Sequence, residues 1–312
     1  MNLIFIICGL ALLILGGNWL LKAAVGLSLK LNIPKIVIGM TVVSLATSAP
    51  ELIVSVKSAL NGFPDLAMGN VIGSNVANLG LVLAITIILS PINVEKSFYK
   101  TDWPVMMISS VLLFGFVFTD HTLQRYEGII LFSFLTLFLI YLLKFQKQAV
   151  VDETEDEINQ ELPLYKVVLY LAIGGLALWG GSELLIEGAV GLAEAYGVSK
   201  RVIAVTVVSV GTSIPELAAS IIAVLKKEKA ISLGNLIGSN MFNILAVLGI
   251  TSMITPIEIN DKGLLTNDIY WMLGISFLIL PLVFIPRGFR LGWRDGIILL
   301  ALYGIFVYTT LI

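Results

Sequence analysis

The stretch 41–52 reads Thr-Val-Val-Ser-Leu-Ala-Thr-Ser-Ala-Pro-Glu-Leu, and it recurs at 206–217 as Thr-Val-Val-Ser-Val-Gly-Thr-Ser-Ile-Pro-Glu-Leu. A second polar motif follows each copy. It reads Gly-Asn-Val-Ile-Gly-Ser-Asn-Val-Ala-Asn at 69–78 and Gly-Asn-Leu-Ile-Gly-Ser-Asn-Met-Phe-Asn at 234–243. Self-similarity at a fixed spacing indicates that one structural unit is present twice.

Composition places both motifs in a membrane protein. Of the 312 residues, 58% are hydrophobic and 13% are charged, and the mean hydropathy is +0.98. One membrane-spanning helix needs about 20 mostly apolar residues. What lies outside such stretches is too short for a separate soluble catalytic domain. Ten spans are predicted, at 3–24, 36–60, 66–90, 103–120, 126–146, 164–190, 200–225, 231–255, 268–286 and 292–311.

The repeat organises these spans. Aligned without a gap, 39–85 and 204–250 share 21 identities in 47 positions. Each half contains five predicted spans, and an odd number inverts the second half relative to the first. Inverted repeats are typical of secondary transporters, whose sites lie near the bilayer midplane. We therefore predict an all-α membrane protein of ten helices in two inverted five-helix repeats, 1–146 and 164–312, joined by an acidic cytoplasmic linker, 147–163.

Charge sorting predicts the orientation. Fourteen of the 19 Lys and Arg residues lie in or beside the loops that join spans 1–2, 3–4, 5–6, 7–8 and 9–10. By the positive-inside rule these loops are cytoplasmic, so both termini of this multi-pass cell-membrane protein are extracytoplasmic. The acidic linker is interpreted as a solvated connection. The alternative, a cytosolic divalent-ion sensor, lacks the spacing of an EF-hand loop. The lone Cys8 excludes an internal disulfide.

The first motif carries a carboxylate inside a span. An ionised residue at mid-membrane costs about 2.5–3.5 kcal/mol or more, so Glu51 and Glu216 are functional-site candidates. Each follows a proline. A proline inside a helix displaces carbonyl oxygens, which a bound cation can satisfy. Three or four residues before each glutamate, on the same helical face, lie hydroxyl side chains: Thr47, Ser48, Thr212 and Ser213.

The second motif adds neutral oxygens. Ser74 and Asn78 are four residues apart, as are Ser239 and Asn243, so each pair shares a helical face. The combined set holds carboxylate, hydroxyl, amide and carbonyl oxygens without His or Cys. Such ligands suit Ca²⁺ or Na⁺, fit Mg²⁺ less well, and do not suit Zn²⁺ or Cu. One Ca²⁺ or several Na⁺ ions would neutralise the two carboxylates in turn, which is a physical basis for exchange.

On these motifs, the chain resembles the sodium/calcium exchanger family of the calcium/cation antiporter superfamily, over nearly its whole length and as in the small prokaryotic members. The resemblance implies alternating access, with spans 1 and 6 sliding against a rigid core. It implies one Ca²⁺ between the two glutamates, and flanking Na⁺ sites that use the hydroxyls and the carbonyls of Ser44 and Ser209. The implied ion ligands are Thr47, Ser48, Glu51, Ser74, Asn78, Thr212, Ser213, Glu216, Ser239 and Asn243.

One departure bears on coupling. Some members of the superfamily, including the potassium-dependent exchangers, have Asp where this chain has Asn243. The amide resembles the potassium-independent branch and leaves Glu51 and Glu216 as the only carboxylates of the set. Potassium co-transport is therefore not expected.

The predicted function is Na⁺-driven Ca²⁺ antiport by a protein that functions as a monomer, with Ca²⁺ and Na⁺ as transported ions, the lipid bilayer as its environment, and no cofactor or nucleic-acid partner. The first alternative is Ca²⁺/H⁺ antiport with protons on the same glutamates. Dedicated proton exchangers typically have His after the glutamate, whereas Leu52 and Leu217 follow here. An intramembrane protease and a channel are further alternatives. The former normally uses aspartates, and the inverted repeat argues against the latter.

Overall fold

A computed structural model describes residues 2–145, 162–196, 211–285 and 288–311. Most of these residues are helical, as predicted. The α-helices are α1 (Asn2–Leu31), α2 (Lys35–Ile38), α3 (Ser44–Thr47), α4 (Ala49–Leu60), α5 (Pro64–Ala77), α6 (Ala84–Leu89), α7 (Trp103–Asp120), α8 (Arg125–Phe145), α9 (Leu164–Ala195), α10 (Ile214–Leu225), α11 (Lys229–Phe242), α12 (Gly249–Ile254), α13 (Ile269–Phe284) and α14 (Trp293–Leu311).

Short π-helical and extended segments interrupt these helices. The π-helical segments in the described residues are Gly39–Val43, Asn78–Leu83, Phe98–Asp102, Asn243–Leu248 and Leu264–Asp268. The two-residue strands are β1 (Ile92–Asn93), β2 (Thr122–Leu123), β3 (Ile257–Glu258) and β4 (Arg290–Leu291). The strands were not predicted, because two residues are too short for a period-two pattern to be read.

Seven helices in the described part of the chain are long and apolar enough to cross a membrane, and the broken pair Lys35–Thr47 and Ala49–Leu60 adds an eighth if it is one span. The predicted span 200–225 lies partly outside the described residues, and its remainder is the shorter apolar helix α10. Helix α14 occupies the predicted span 292–311. The count of ten stays a prediction. The seven are Asn2–Leu31, Pro64–Leu89, Phe98–Asp120, Arg125–Lys144, Leu164–Ala195, Lys229–Ile254 and Leu264–Phe284.

The order of elements repeats at the spacing of the sequence motifs. Helices α4 to α6 with β1 occupy 49–93, and α10 to α12 with β3 occupy 214–258, 165 residues later. In both copies a π-helical segment begins at the last asparagine of the second motif, Asn78 or Asn243. Single-turn π-helical segments often mark functional positions in helices.

The chain divides into two compact units, and the first comprises Met1–Thr47 and Leu139–Asn235. In it α1 packs lengthwise against α9. The two backbones touch at glycines: a Cβ added to Gly16 would lie 2.8 Å from the amide nitrogen of Leu178, and one added to Gly181 would lie 2.9 Å from the carbonyl oxygen of Gly9. Small residues permit such close approach of helices in a membrane.

The first unit also brings α2 and the π-helical segment that follows it against the start of α11. A Cβ added to Gly39 would lie 2.5 Å from the carbonyl oxygen of Ile231. At the edge of this contact, the Lys35 ammonium and the Glu228 carboxylate form an ion pair with an N–O distance of 2.9 Å.

The second unit comprises Ser48–Phe138 and Leu236–Ile312. Its strands pair antiparallel, β1 with β4 and β2 with β3. Each pair therefore joins a segment of the first sequence half to a segment of the second. The units do not coincide with the halves 1–146 and 164–312, because each unit draws on both. The repeat boundaries are drawn on sequence and stay a prediction.

Candidate ion-binding site

The two motif glutamates occupy the same position at the start of a helix. α4 begins after Ser48 (φ −87°, ψ 2°) and α10 begins after Ser213 (φ −89°, ψ 3°), both with proline in the first turn. The sequence analysis placed each proline inside a continuous helix, and this prediction is wrong. Each proline instead lies in the first turn of a new helix. The chain leaves the helix before the proline, which then sits where a missing N–H costs nothing.

Glu51 and Glu216 are the third residues of α4 and α10, and both are fully buried. The positive end of a helix dipole favours a carboxylate in the first turn. The pattern Ser-x-x-Glu is a helix-start signature. Neither serine hydroxyl caps its own helix. The local fold therefore presents one buried carboxylate at each helix start.

The first asparagine of the second motif lies behind each glutamate helix. Asn70 donates from Nδ2 to Ser55 Oγ at 3.1 Å. Asn235 donates in the same way to Ser220 Oγ at 3.2 Å. Ser55 and Ser220 each follow a glutamate by four residues, on the same helical face. The sequence reasoning missed these four residues, although all are identical between the repeats.

In the first unit, Asn235 also holds the hydroxyls of the first motif. Thr47 Oγ1 donates to Asn235 Oδ1 at 3.2 Å. Ser44 Oγ lies 2.9 Å from the Asn235 carbonyl oxygen and 2.8 Å from that of Gly39. A hydroxyl that donates to a protein oxygen keeps lone pairs for other partners. These bonds fix the side chains of Thr47 and Ser44, two of the predicted site residues.

In the second unit, four asparagines form one hydrogen-bonded group, here called the asparagine tetrad: Asn75, Asn78, Asn240 and Asn243. Asn75 Nδ2 donates to the Asn240 carbonyl oxygen, and Asn240 Nδ2 to the Asn75 carbonyl oxygen, both at 3.2 Å. Asn78 Nδ2 donates to Asn240 Oδ1 at 3.1 Å, and Asn243 Nδ2 to Asn75 Oδ1 at 3.0 Å. All four side chains are buried.

The predicted ligands fall into two groups, one in each compact unit. The first unit contains Ser44, Thr47, Thr212, Ser213 and Glu216, and the second contains Ser48, Glu51, Ser74, Asn78, Ser239 and Asn243. Ser209 lies outside the described residues. Thr212 is half-buried and the other described ligands are buried. No group of three or more His, Cys, Asp or Glu converges in the described residues.

Comparison with known proteins gives a consistent result. The model of the family described as sodium/calcium exchanger protein matches residues 1–144 and 166–312. The putative antiporter CaxA of Alkalimonas amylolytica is 37% identical over 95% of this chain and 94% of its own length. The sodium/calcium exchanger MaX1 of Methanosarcina acetivorans is 28% identical, over 98% of this chain and 97% of its own.

A solved structure agrees with these sequence matches. The sodium-calcium exchanger NCX_Mj, soaked with zero Na⁺ and Ca²⁺, superposes with a TM-score of 0.83 at 28% identity and covers 98% of each chain. Together with the apolar helices, these matches confirm the resemblance seen in the motifs. The chain belongs to the sodium/calcium exchanger family of multi-pass membrane antiporters.

Proposed function

We propose that the protein exchanges Na⁺ for Ca²⁺ across the cell membrane by alternating access, without K⁺, and that it is not an enzyme. The observation that carries the proposal is the duplicated, buried glutamate at a helix start, with hydroxyl and amide oxygens in the neighbouring motif. The names of the relatives support Na⁺ and Ca²⁺ as the two exchanged ions, since MaX1 and NCX_Mj are both called sodium/calcium exchangers.

The ligand chemistry supports mutual exclusion of the two ions. Glu51 and Glu216 are the only carboxylates of the proposed set, so the set carries two negative charges when both are ionised. One Ca²⁺ or more than one Na⁺ neutralises that charge. Once one type of ion has neutralised the two carboxylates, no net negative charge remains to hold the other type, and this favours exchange of one for the other. Neutral oxygens complete the coordination of both hard cations.

The strand pairs support the inverted repeat. β1 and β2 lie at opposite ends of α7, and β1 pairs with β4 while β2 pairs with β3. Hence β1 and β3, which occupy equivalent places in the two repeats, belong to opposite ends of the same span. Positions related by the repeat on opposite sides of the membrane are what an inverted repeat requires.

The glycine contacts between α1 and α9 support a role for these helices in the conformational change. The family resemblance implies that spans 1 and 6 move together. The close approach of the two backbones at these glycines packs the two helices tightly against each other. We propose that α1 and α9 move as a pair and thereby open the ion ligands to one side of the membrane or the other.

Potassium independence rests on Asn243. Its buried side chain is a neutral amide whose Nδ2 donates to Asn75. It therefore adds no negative charge for a further monovalent cation. We propose that transport assays with and without K⁺ give the same rate.

We also propose that the protein functions as a monomer.

The test is ⁴⁵Ca²⁺ uptake into proteoliposomes loaded with Na⁺, with choline-loaded vesicles as the matched control. Uptake that requires internal Na⁺ and is unaffected by K⁺ supports the proposal. Uptake driven by an imposed pH gradient and not by Na⁺ would replace it with Ca²⁺/H⁺ antiport on the same glutamates. Uptake under neither gradient would reject both forms of exchange.

A further inference from the structure

The asparagine tetrad fixes the direction in which two of the proposed ligands point. Two of its hydrogen bonds end on main-chain carbonyl oxygens. The amide of Asn75 faces the carbonyl oxygen of Asn240, and the amide of Asn240 faces the carbonyl oxygen of Asn75. A carbonyl oxygen can only accept a hydrogen bond, so the atom facing it must be the amide nitrogen. The amide oxygens of Asn75 and Asn240 are therefore turned the other way.

The second step follows from the first. Asn75 Oδ1 receives Asn243 Nδ2 at 3.0 Å, and Asn240 Oδ1 receives Asn78 Nδ2 at 3.1 Å. Flipping the side-chain amide of Asn78 or Asn243 would place oxygen against oxygen at hydrogen-bond distance. The polarity of a main-chain carbonyl is thus transmitted through one asparagine to the next. Asn78 and Asn243 have to present their oxygens, not their NH₂ groups, on the side away from the tetrad.

Those two oxygens are the unsatisfied ends of the network. Asn78 Oδ1 and Asn243 Oδ1 are buried and have no hydrogen-bond partner among the described residues. Both side chains are 0% exposed. A buried polar atom without a partner is costly, and a bound cation satisfies such an atom. Without the network, an amide at either position could turn a positively polarised NH₂ group toward the ion and oppose its binding.

We propose that Asn75 and Asn240 are positioning residues for ion binding, each of which orients one amide-oxygen ligand contributed by the opposite repeat. Asn75 orients Asn243, and Asn240 orients Asn78. This inference rests on the proposed function for the identity of the ions, and it adds two residues that the motif reasoning had not assigned to the site.

Asn75 with Asn243 and Asn240 with Asn78 form two pairs, each here called a relay. The geometry makes the two relays independent of each other. The side-chain amides of Asn75 and Asn240 each donate to the main-chain carbonyl oxygen of the other residue, not to its side chain. Truncation of Asn75 removes the anchor of Asn243 and leaves the Asn75 carbonyl oxygen in place for Asn240. Asn75 and Asn240 are therefore in contact and yet should act independently. Asn75 and Asn243, which belong to different repeats, should act as one.

Double-mutant cycles test this pattern, because they isolate the interaction between two positions. Purified protein is titrated with Na⁺ alone and with Ca²⁺ alone, and the half-saturating concentration is read from ion-dependent thermal stabilisation and from transport. Asn243→Ala and Asn75→Ala should each raise the half-saturating Na⁺ concentration by about tenfold, the order of one lost hydrogen-bonded ligand position. The Asn75→Ala/Asn243→Ala double variant should be no worse than Asn243→Ala.

The second relay should behave alike, with Asn240→Ala matching Asn78→Ala and their double variant. The Asn75→Ala/Asn240→Ala pair should instead multiply the two single effects. The control is Thr86→Ala, which removes a buried hydroxyl that donates to the Val82 carbonyl oxygen one turn earlier in the chain. It should leave half-saturation unchanged.

Multiplicative effects in the Asn75/Asn243 pair would overturn the proposal. So would a lower unfolding temperature of ion-free Asn75→Ala with unchanged half-saturation, which is the signature of a purely structural clasp. If Asn75→Ala does not fold, Asn75→Ser replaces it, because a serine hydroxyl is too short to hold Asn243. Wild-type protein that responds to neither Na⁺ nor Ca²⁺ would reject the proposed function. A wild-type response to either ion without the crossed coupling would reject the relay alone.

Discussion

At the scale of single residues, the two glutamates are the first to test. Replacing Glu51 or Glu216 by Gln keeps the shape and removes the charge that would balance Ca²⁺. We expect either variant to abolish ⁴⁵Ca²⁺ uptake in the proteoliposome assay, because a single remaining carboxylate leaves a divalent ion half neutralised in a low-dielectric site. Glu187→Gln is the matched control, since that side chain is exposed. Retained Ca²⁺ uptake in both glutamate variants would refute the site assignment.

Asn243 should act on the two ions unequally. A neutral amide oxygen contributes a smaller share of the binding energy to a divalent ion held by carboxylates than to a monovalent one. Asn243→Ala should therefore weaken Na⁺ dependence by about tenfold and Ca²⁺ affinity by less, the scale of one polar interaction. The measurement is half-saturation for each ion, with the exposed Asn61→Ala as control. Equal losses for both ions would contradict this assignment.

The sequence predicts Glu51 and Asn78 as ion ligands, but it does not predict the residues that we propose to orient such ligands. Glu51 and Asn78 stood out because a buried carboxylate and a repeated polar motif are unusual in a membrane span. Asn75 and Asn240 belong to the same motif, and their identity in both repeats was a signal for them. Asn75 bonds to Asn243, 168 residues later, and Asn240 bonds to Asn78, 162 residues earlier. No local pattern states which helix will supply that partner.

At the scale of elements, the contact of α1 with α9 depends on glycine at particular places. A Cβ at Gly181 would meet the backbone of α1, whereas a Cβ at Gly180 would meet no atom of the described residues within 4 Å. In an open helical position, Ala stabilises by about 1 kcal/mol relative to Gly. An overpacked position loses about 1–3 kcal/mol. We expect Gly181→Ala to lower the unfolding temperature in detergent and to slow transport, while Gly180→Ala raises or preserves both.

One outcome for these two variants would contradict the prediction. If Gly180→Ala and Gly181→Ala change the unfolding temperature in the same direction and by the same amount, close approach of the two backbones does not limit stability. A loss of transport with unchanged stability in Gly181→Ala alone would still place the effect on helix movement.

Helix boundaries show where sequence reasoning was incomplete at this scale. A proline in a membrane span predicts a disturbance inside a helix, whereas in the structure a new helix begins one residue before each proline. Ser48 and Glu51 form the Ser-x-x-Glu signature of a helix start, and Ser213 and Glu216 repeat it. Hydropathy hides such a start, because apolar residues continue on both sides of it.

At the scale of the whole molecule, the proposed inversion makes a labelling prediction. Glu95 and Asn260 are equivalent positions in the repeat, and both are exposed. In a Cys8→Ser background, Glu95→Cys should react with an impermeant maleimide only from the cytoplasmic side, and Asn260→Cys only from outside. The paired strands next to these positions are the physical reason, since they belong to opposite ends of α7. Labelling of both from one side would contradict the inversion.

Each compact unit draws on both halves of the chain, and this has a consequence for the time during which the protein is made. Neither unit can close until the second half has left the ribosome, some 165 residues after its counterpart. At 5–20 residues per second that delay is on the order of 10–30 s. For this interval Glu51, Asn75 and Asn78 lie in the bilayer without the segments that later enclose them. The nascent chain would be most open to membrane proteases and quality control in that interval.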